Sequence, residues 1–454
     1  MVASRDDTKR MDIQALKLAL QNHARYVRRE RGGDRLNLSH KNVESVRFDK
    51  MDLSDAELVG LRACNASFAG TTLTRANLFG ADLTGVNLRD ANMTRADLRG
   101  ARFTRANLEG ADLTDSDLRE GTIMRQSSEG GLSYIDNGDQ ATRFDNASMR
   151  HSNLEKVRMN RANGSGTDLF QANLKGARLA GCDFTGADLS GALLDGADLT
   201  DANLSRVNLR GAELIGVVLD GACLEGVDLT AARFNKTELM AAKSTEGAIM
   251  PRSAADLGIS IDELMRRHKD WMMTGGAKGE QAVFRGVDLT GFMHRGIELS
   301  AAEFTDCILA SANFEDGIFS MANFSGAMLV NAVLSQTDLR GAKFECSNLS
   351  GAVMCEADLS AMPIAGGGGR TWPSNFRGAN LTRSDLSRAN LSHCDFTGAV
   401  LKGADLSASL VVGTSFLEAD LNGADLSGVD LSSCDLRGAR GVAAALDTME
   451  KKAG

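Results

Sequence analysis

Residues 73–88 read Leu73-Thr-Arg-Ala-Asn-Leu78-Phe-Gly-Ala-Asp-Leu83-Thr-Gly-Val-Asn-Leu88, an Ala-Asp/Asn-Leu-x-Gly unit that returns every five residues. Five is neither the helix period nor the strand period. A large residue at one position in five, with a small one two places before it, suits a chain that turns after each pentad. Leu or Phe then fills a central core and Ala sits at an inward corner. The Asp or Asn between them hydrogen-bonds backbone at the turn, as short polar side chains do.

Following the central residue outward gives four in-phase runs, residues 38–123, 144–239, 284–359 and 376–436, which hold roughly 18, 20, 16 and 13 pentads. The phenylalanines set the coil size independently. Phe284, Phe304, Phe324 and Phe344 fall every twenty residues, as do Phe376, Phe396 and Phe416, so a twenty-residue coil stacks each set into an aromatic column. The break from Leu359 to Phe376 is one pentad plus twelve residues, and if the twelve bulge from a corner the column runs on through it. By the same arithmetic the break from Ile123 to Phe144 is one pentad plus sixteen, which puts Phe48, Phe68, Phe144 and Phe184 on one face. Gly164 takes a central position between Phe144 and Phe184, where a kink or a small void is expected.

This pattern resembles the pentapeptide-repeat family over about three quarters of the chain. The resemblance implies an all-β solenoid, a right-handed quadrilateral β-helix with four pentads per coil. Composition agrees with a chain built from small and aliphatic side chains: 43% hydrophobic residues and 48 glycines against 3 prolines, 2 tryptophans and 2 tyrosines, a balance that argues against disorder. The three prolines lie outside the runs, as a ladder that needs its N–H groups requires.

Two stretches have helical spacing instead. One carries Ile13, Leu16, Leu20, His23 and Val27; the other carries Ile261, Leu264, Met265, His268 and Met272 after Ser260-Ile-Asp-Glu263, a capping-box pattern. Aligning His23 with His268 aligns Tyr26 with Trp271, and Gly33 precedes Leu38 by the same five residues that separate Gly279 from Phe284. The order helix, pentads, loop, pentads thus occurs twice, an internal duplication. A His-x-x-Trp/Tyr helix leading into pentads also resembles an amino-terminal element of family members. The reading divides the chain into a tail and capping helix (1–33), a first β-helix (34–239) with a corner loop at 125–142, a linker and second capping helix (240–279), a second β-helix (280–438) with a corner loop at 361–375, and a carboxy-terminal tail (439–454). The helices cover exposed core ends. Whether the two segments stack as one rod or are separately capped stays open, as does whether the tail forms a short closing helix or leaves the last coil free to pair with a second copy.

Converging chemical groups are missing, so no enzyme, cofactor or metal is expected. His40, His151 and His393 sit two places after core residues and are read as surface filler, while His294 is read as a satisfied core histidine with Phe292 in the small-residue corner. Cys182, Cys307, Cys394 and Cys434 replace the corner Ala, a place that suits a compact apolar thiol. Cys346 and Cys355 are nine apart and no CxxC occurs, so neither zinc nor a disulfide framework is supported. The four-glycine run at 366–369 lacks the Lys-Ser/Thr of a phosphate loop.

Charge offers the remaining lead. A formal net charge of −9 announces neither a polybasic nucleic-acid binder nor an acidic tail. Arg75 and Arg95 are one coil apart, as are Arg99 and Arg119, so each pair forms a short basic column able to hold an anionic partner unless neighbours such as Asp97 and Asp117 neutralise it. Trp372 and Tyr134, on the two loops, are candidate contact residues because amphipathic aromatics anchor interfaces. The favoured reading is a cytoplasmic, non-enzymatic scaffold that binds an unknown protein partner through its rigid surface and corner loops. Neither membrane insertion nor direct nucleic-acid binding is expected, and a homodimer through a solenoid end is allowed. The alternative comes from the resemblance, since some family members are acidic rods that mimic duplex DNA and protect a type II topoisomerase, DNA gyrase, from inhibitors.

Overall fold

The computed structural model describes residues 12–121, 124–126, 132–134, 141–364 and 370–442. The chain folds into β-helical coils that advance by twenty residues. Parallel bridges join Asn37 to Glu57, Asn77 to Asp97, Asp188 to Asn208 and Glu303 to Asn323. Within a coil each core residue's N–H donates to the next coil, as from Leu78 to the Asn77-equivalent Asp97 carbonyl at 2.7 Å, and each corner N–H closes the turn behind it, as from Ala81 to the Leu78 carbonyl at 3.0 Å. Where the residue before the core position is Asp or Asn, it can cap the turn, as the Asp82 carboxylate does by accepting from the Thr84 N–H at 3.2 Å and from the Thr84 hydroxyl at 2.7 Å. The backbone is thus paired partly within each turn and partly with the neighbouring coils, around a core of large side chains.

The chain forms two compact units, one of Met1–Asp228 with Arg233–Ile249 and one of Leu229–Ala232 with Met250–Gly454. In the first, helix α1 (Ile13–Val27) is capped by Asp12, and a short hairpin, β1 (Met124–Gln126) and β2 (Leu132–Tyr134), leaves the solenoid. Helix α2 (Lys236–Leu239) ends the regular coils. In the second, a 3-10 turn (Ala254–Leu257) and helix α3 (Ile261–Met273) precede the coils, and the hairpin of β3 (Met362–Pro363) and β4 (Thr371–Trp372) interrupts them. Both long helices are followed by a glycine where no side chain fits. A Cβ on Gly33 would lie 2.3 Å from the Tyr26 nitrogen, and one on Gly279 would lie 2.1 Å from the Arg267 carbonyl oxygen.

Phe284, Phe304, Phe324, Phe344, Phe376, Phe396 and Phe416 form one column, neighbouring rings lying 4.7–5.4 Å apart and within 13° of parallel. The second hairpin adds twelve residues to a coil, since Lys343 pairs with Asn375.

Several expectations need correction. The first break adds twenty-one residues rather than sixteen: Arg102 pairs with Arg143, so Phe144 fills the place Ile123 would have taken. Phe144 therefore stacks on Phe103, at 5.1 Å and 4°, while Phe48 and Phe68 stack together in a different column. Gly164 leaves neither kink nor void. Its N–H keeps the ladder bond to Asp183 at 2.7 Å, and the Phe184 ring leans in until a Cβ on Gly164 would lie 2.9 Å away. His294 is exposed, because the corner cannot hold Phe292 and that ring takes the interior space against Phe314, at 6.0 Å. His151 is half-buried edge-on against Phe170 at 5.5 Å, not a solvated filler. The first solenoid does not run regularly to 239, since Leu239 closes α2; coiling resumes beyond it, with Ser244 paired to Cys223 and Ile249 to Asp228. Residues 244–249 thus belong to the coil rather than to a linker, with Thr245 following Ser244 at a place normally held by Leu. Ser260 accepts from the Glu263 N–H at 3.2 Å, yet Glu263 turns away to bind Arg266 and Arg267, so the capping box is half-formed. The closing helix considered for the tail, from 443 on, falls outside the described residues.

Candidate functional site

A closed β-helix spends its large side chains on its own core, so contact groups must come from turns and from departures at corners. The second hairpin is the more fully described departure. Pairing of Met362 with Trp372 lays the indole back over the flank of the preceding coils. Gly341 makes room for it: a Cβ there would lie 2.8 Å from the Met321 sulfur, 3.1 Å from the Met362 Cβ and 3.3 Å from the indole edge. The Lys343 ammonium stands 5.4 Å from the indole centroid. The result is an apolar cluster of Trp372, Met321 and Met362, with Trp372 40% and Met321 36% exposed, and Ile364 stands exposed on the same hairpin. Ser374 seals the re-entry, its hydroxyl accepting from the Gly341 N–H at 2.9 Å and donating to the Leu339 carbonyl at 3.1 Å. Sequence reasoning picked out Trp372 by rarity and missed Met362 on the facing hairpin strand and Met321 and Lys343 on separate coils, which carry no signal of their own.

The first departure has a comparable seal. The Thr142 hydroxyl accepts from the Gly100 N–H and donates to the Arg119 carbonyl, both at 2.9 Å. Beside it lies an open groove of about 850 Å³ lined by Arg99, Arg119, Glu120, Asn160, Arg161, Ala180, Gly181, Thr200 and Asp201. These are turn residues of successive coils. Tyr134 is paired through its backbone with Met124, and its side chain lies outside the described residues.

The arginine columns are not free charge. Arg75 makes a two-pronged contact with Asp55, at 2.8 Å from both Nε and Nη2, and holds the Asp55 carboxyl below its ordinary value. Arg99 grips Asp97 and Arg119 grips Asp117 in the same way, at 2.7–2.9 Å, while Arg95 reaches Asp115 at 3.8 Å. Arg161 faces Glu120 across the groove mouth at 3.3 Å. The groove therefore presents paired ions, a surface for hydrogen bonding more than an anion trap.

The remaining polar candidates are structural. Cys182, Cys307, Cys394 and Cys434 donate Sγ–H to the carbonyls of Met159, Phe284, Leu359 and Val411 at 2.8, 3.2, 3.0 and 3.1 Å. Burial pushes the Cys182 and Cys307 thiols up to about 12 and Cys394 well above its ordinary range, so none is a thiolate at neutral pH. Among the described residues, no group of His, Cys, Asp and Glu could hold a metal ion. Nor is any described helix long and apolar enough to cross a membrane.

Comparison with known proteins follows the same lines. A family model described as pentapeptide repeats, eight copies, matches residues 47–119, 142–236, 282–354 and 374–438, about two thirds of the chain. No curated protein matches. Among solved structures, HetL, a pentapeptide repeat protein involved in heterocyst differentiation regulation from the cyanobacterium Nostoc sp. strain PCC 7120, is 23% identical over 76% of this chain and 88% of its own, with a TM-score of 0.22. QnrB1, a plasmid-mediated fluoroquinolone resistance protein, is 18% identical over 50% of this chain and 94% of its own, with a TM-score of 0.24. A pentapeptide repeat protein from the Arabidopsis thaliana thylakoid lumen is 28% identical over 33% of this chain and 70% of its own, with a TM-score of 0.14. With its five-residue period, its twenty-residue coils and the extent of the family match, the chain belongs to the pentapeptide-repeat family.

Proposed function

We propose that this protein is a non-enzymatic scaffold that binds a protein partner, and that the Trp372 hairpin is the main contact. The observation that carries the reading is the cluster of Trp372, Met321 and Met362, held half-exposed on a rigid flank by the Met362–Trp372 pair and by Ser374. A corner could be closed by solvated polar residues; an indole and two thioether side chains gathered at one place are the composition of an interface anchor. The groove beside Arg99 and Arg119 is a secondary candidate surface, and Arg75 and Arg95 a third, each already matched to acids, and Tyr134 on the first hairpin stays a candidate contact residue.

In this reading the chain is two right-handed β-helical segments, each led by a capping helix. The eight cysteines are unpaired, which fits a reducing cytoplasm. Mimicry of duplex DNA would need an uninterrupted acidic face, whereas the acids of the second unit are interleaved with cations: Arg285 meets Glu303, Arg295 meets Glu315 and Asp316, and Arg388 meets Glu356.

Deleting residues 362–373 tests the proposal. The cut removes twelve residues and joins Ala361 to Ser374 in unbroken pentad register, so the solenoid should stay folded by circular dichroism. Affinity purification from the native cell should then lose a partner that the full chain retains. If the deleted protein keeps every partner, the hairpin is structural decoration.

A further inference from the structure

His23 and His268 serve their solenoids in the same way. Each is fully buried, and its Nδ1 accepts a backbone hydrogen bond from the first inward corner: Leu36 N–H to His23 and Ala282 N–H to His268, both at 3.0 Å. In later pentads that corner N–H donates to the core carbonyl three residues back, as Ala56 does to Leu53 and Ala302 to Leu299, at 3.1 Å. The first corner follows a helix and has no preceding pentad. The imidazole supplies the missing acceptor.

An accepting Nδ1 places the ring proton on Nε2, so each docked imidazole is neutral. The His23 Nε2 is buried with no hydrogen-bond partner. A second proton has to go on Nδ1, where it removes the lone pair that holds the first corner and puts a charge into the packed core end. From the solenoid, Asp52 and Asp55 face His23 and favour its proton, while burial and Arg35 oppose it; Asp55 itself stays ionised beside Arg75. At His268, burial opposes the proton, and the Ser300 backbone and Glu298 favour it. On the helix side the rings stack on Tyr26, at 5.7 Å and 18°, and on Trp271, at 5.5 Å and 21°.

We propose that α1 and α3 are pH-released caps: protonation of His23 and His268 breaks the bond to the first corner and frees each helix from its coil. The direction follows from linkage. Both docked imidazoles bind a proton less readily than the free side chain at its ordinary 6.5, so the undocked state takes up the proton first. Docking is complete above pH 6.5 and weakens as pH falls below it, the loss levelling off beneath the docked values.

Trp271 reports the event directly. In the full chain carrying Trp372→Phe, the remaining indole is Trp271, and its emission is followed from pH 8 to pH 4.5. The expected result is a shift to solvent-exposed emission with a midpoint below 6.5. His268→Asn, whose Oδ1 stands near the place of Nδ1 and binds no proton in this range, should keep the docked spectrum and lose the transition. An unchanged transition in His268→Asn overturns the proposal, as does a flat wild-type profile. If His268→Asn undocks at pH 8, the imidazole nitrogen shifts of the full chain decide by NMR. Nε2–H tautomers titrating below 6.5 at both histidines uphold the caps; Nδ1–H tautomers or ordinary titration refute them.

Discussion

Truncating Phe324 to Ala is the sharpest test of the ladder. The ring is fully buried between Phe304, at 4.8 Å and 3°, and Phe344, at 5.0 Å and 4°, with Phe319 against it at 5.7 Å. Removing a buried phenyl costs about 3–5 kcal/mol, the value depending on how far the surroundings collapse into the space. Collapse is opposed here by the backbone. The Phe324 N–H is bonded to the Lys343 carbonyl at 2.7 Å and the Asn323 N–H to the Ala302 carbonyl at 2.9 Å, so the coils above and below cannot approach. The loss should fall in the upper half of the range, about 4–5 kcal/mol. Phe324→Leu keeps most of the volume and forfeits the two stacks, for about 1–2 kcal/mol. Trp372→Ala removes a half-exposed ring from a corner hairpin and should cost about 1 kcal/mol.

A solenoid loses structure coil by coil, so the assay must be local as well as global. Urea titrations followed by far-ultraviolet circular dichroism give the ranking, and hydrogen exchange at the Phe324, Lys343 and Asn323 amides gives the site. Exchange should accelerate over the coils holding Phe304 and Phe344 while the first unit is unaffected. A loss below about 2 kcal/mol, or one matching Trp372→Ala, would mean that the column is loosely packed and that the stacking argument is wrong.

Gly164→Ala should lower stability by about 1–3 kcal/mol by overpacking against Phe184, whereas an empty site would accept the methyl group with a gain; thermal melts separate the two by sign. Native alkylation by iodoacetamide should label exposed Cys346 readily and spare Cys182, Cys307 and Cys394 until unfolding, since their buried thiols titrate far above neutrality; mass-spectrometric mapping of early label on Cys182 would contradict the packing.

The coil was legible because its signal is redundant: four phenylalanines before the second break and three after it, each set at twenty-residue spacing, admit one register. The second break was measured correctly for the same reason, with clear core residues on both sides. The first break was misread by one pentad because Ile123 fits the core pattern by size alone, whereas the place beyond Phe103 in its column is held by Phe144. What settles the register is the Thr142 hydroxyl bridging Gly100 and Arg119, a contact across 23 and 42 residues. Phe292 and Gly164 were misjudged through one assumption, that each position accepts one residue size. Neighbouring rings compensate instead, Phe184 leaning into Gly164 and Phe292 turning inward at the expense of His294. At the candidate site the rare tryptophan stood out, while its supports are ordinary residues that only the coil brings together.

The two departures show how a uniform repeat can carry specific contacts. Inserting a segment at a corner interrupts one turn's hydrogen bonds, and in both units a hydroxyl residue at re-entry restores them: Thr142 bonds the Gly100 N–H and the Arg119 carbonyl, Ser374 the Gly341 N–H and the Leu339 carbonyl. Either hydroxyl fills the corner that Ala holds elsewhere, so the coil above resumes in register and the ladder across the gap is intact, as the stacked pairs Phe103–Phe144 and Phe344–Phe376 demonstrate. The solenoid thus accepts twelve or twenty-one extra residues at little cost to its core. Each insertion emerges beside a column of turn residues whose spacing is fixed by the coils, so an inserted side chain such as Trp372 meets partners already held in place, here Met321 and Lys343. Preorganisation of that kind reduces the ordering cost of binding, which is why contact chemistry in this fold is expected at its interruptions rather than along its regular faces.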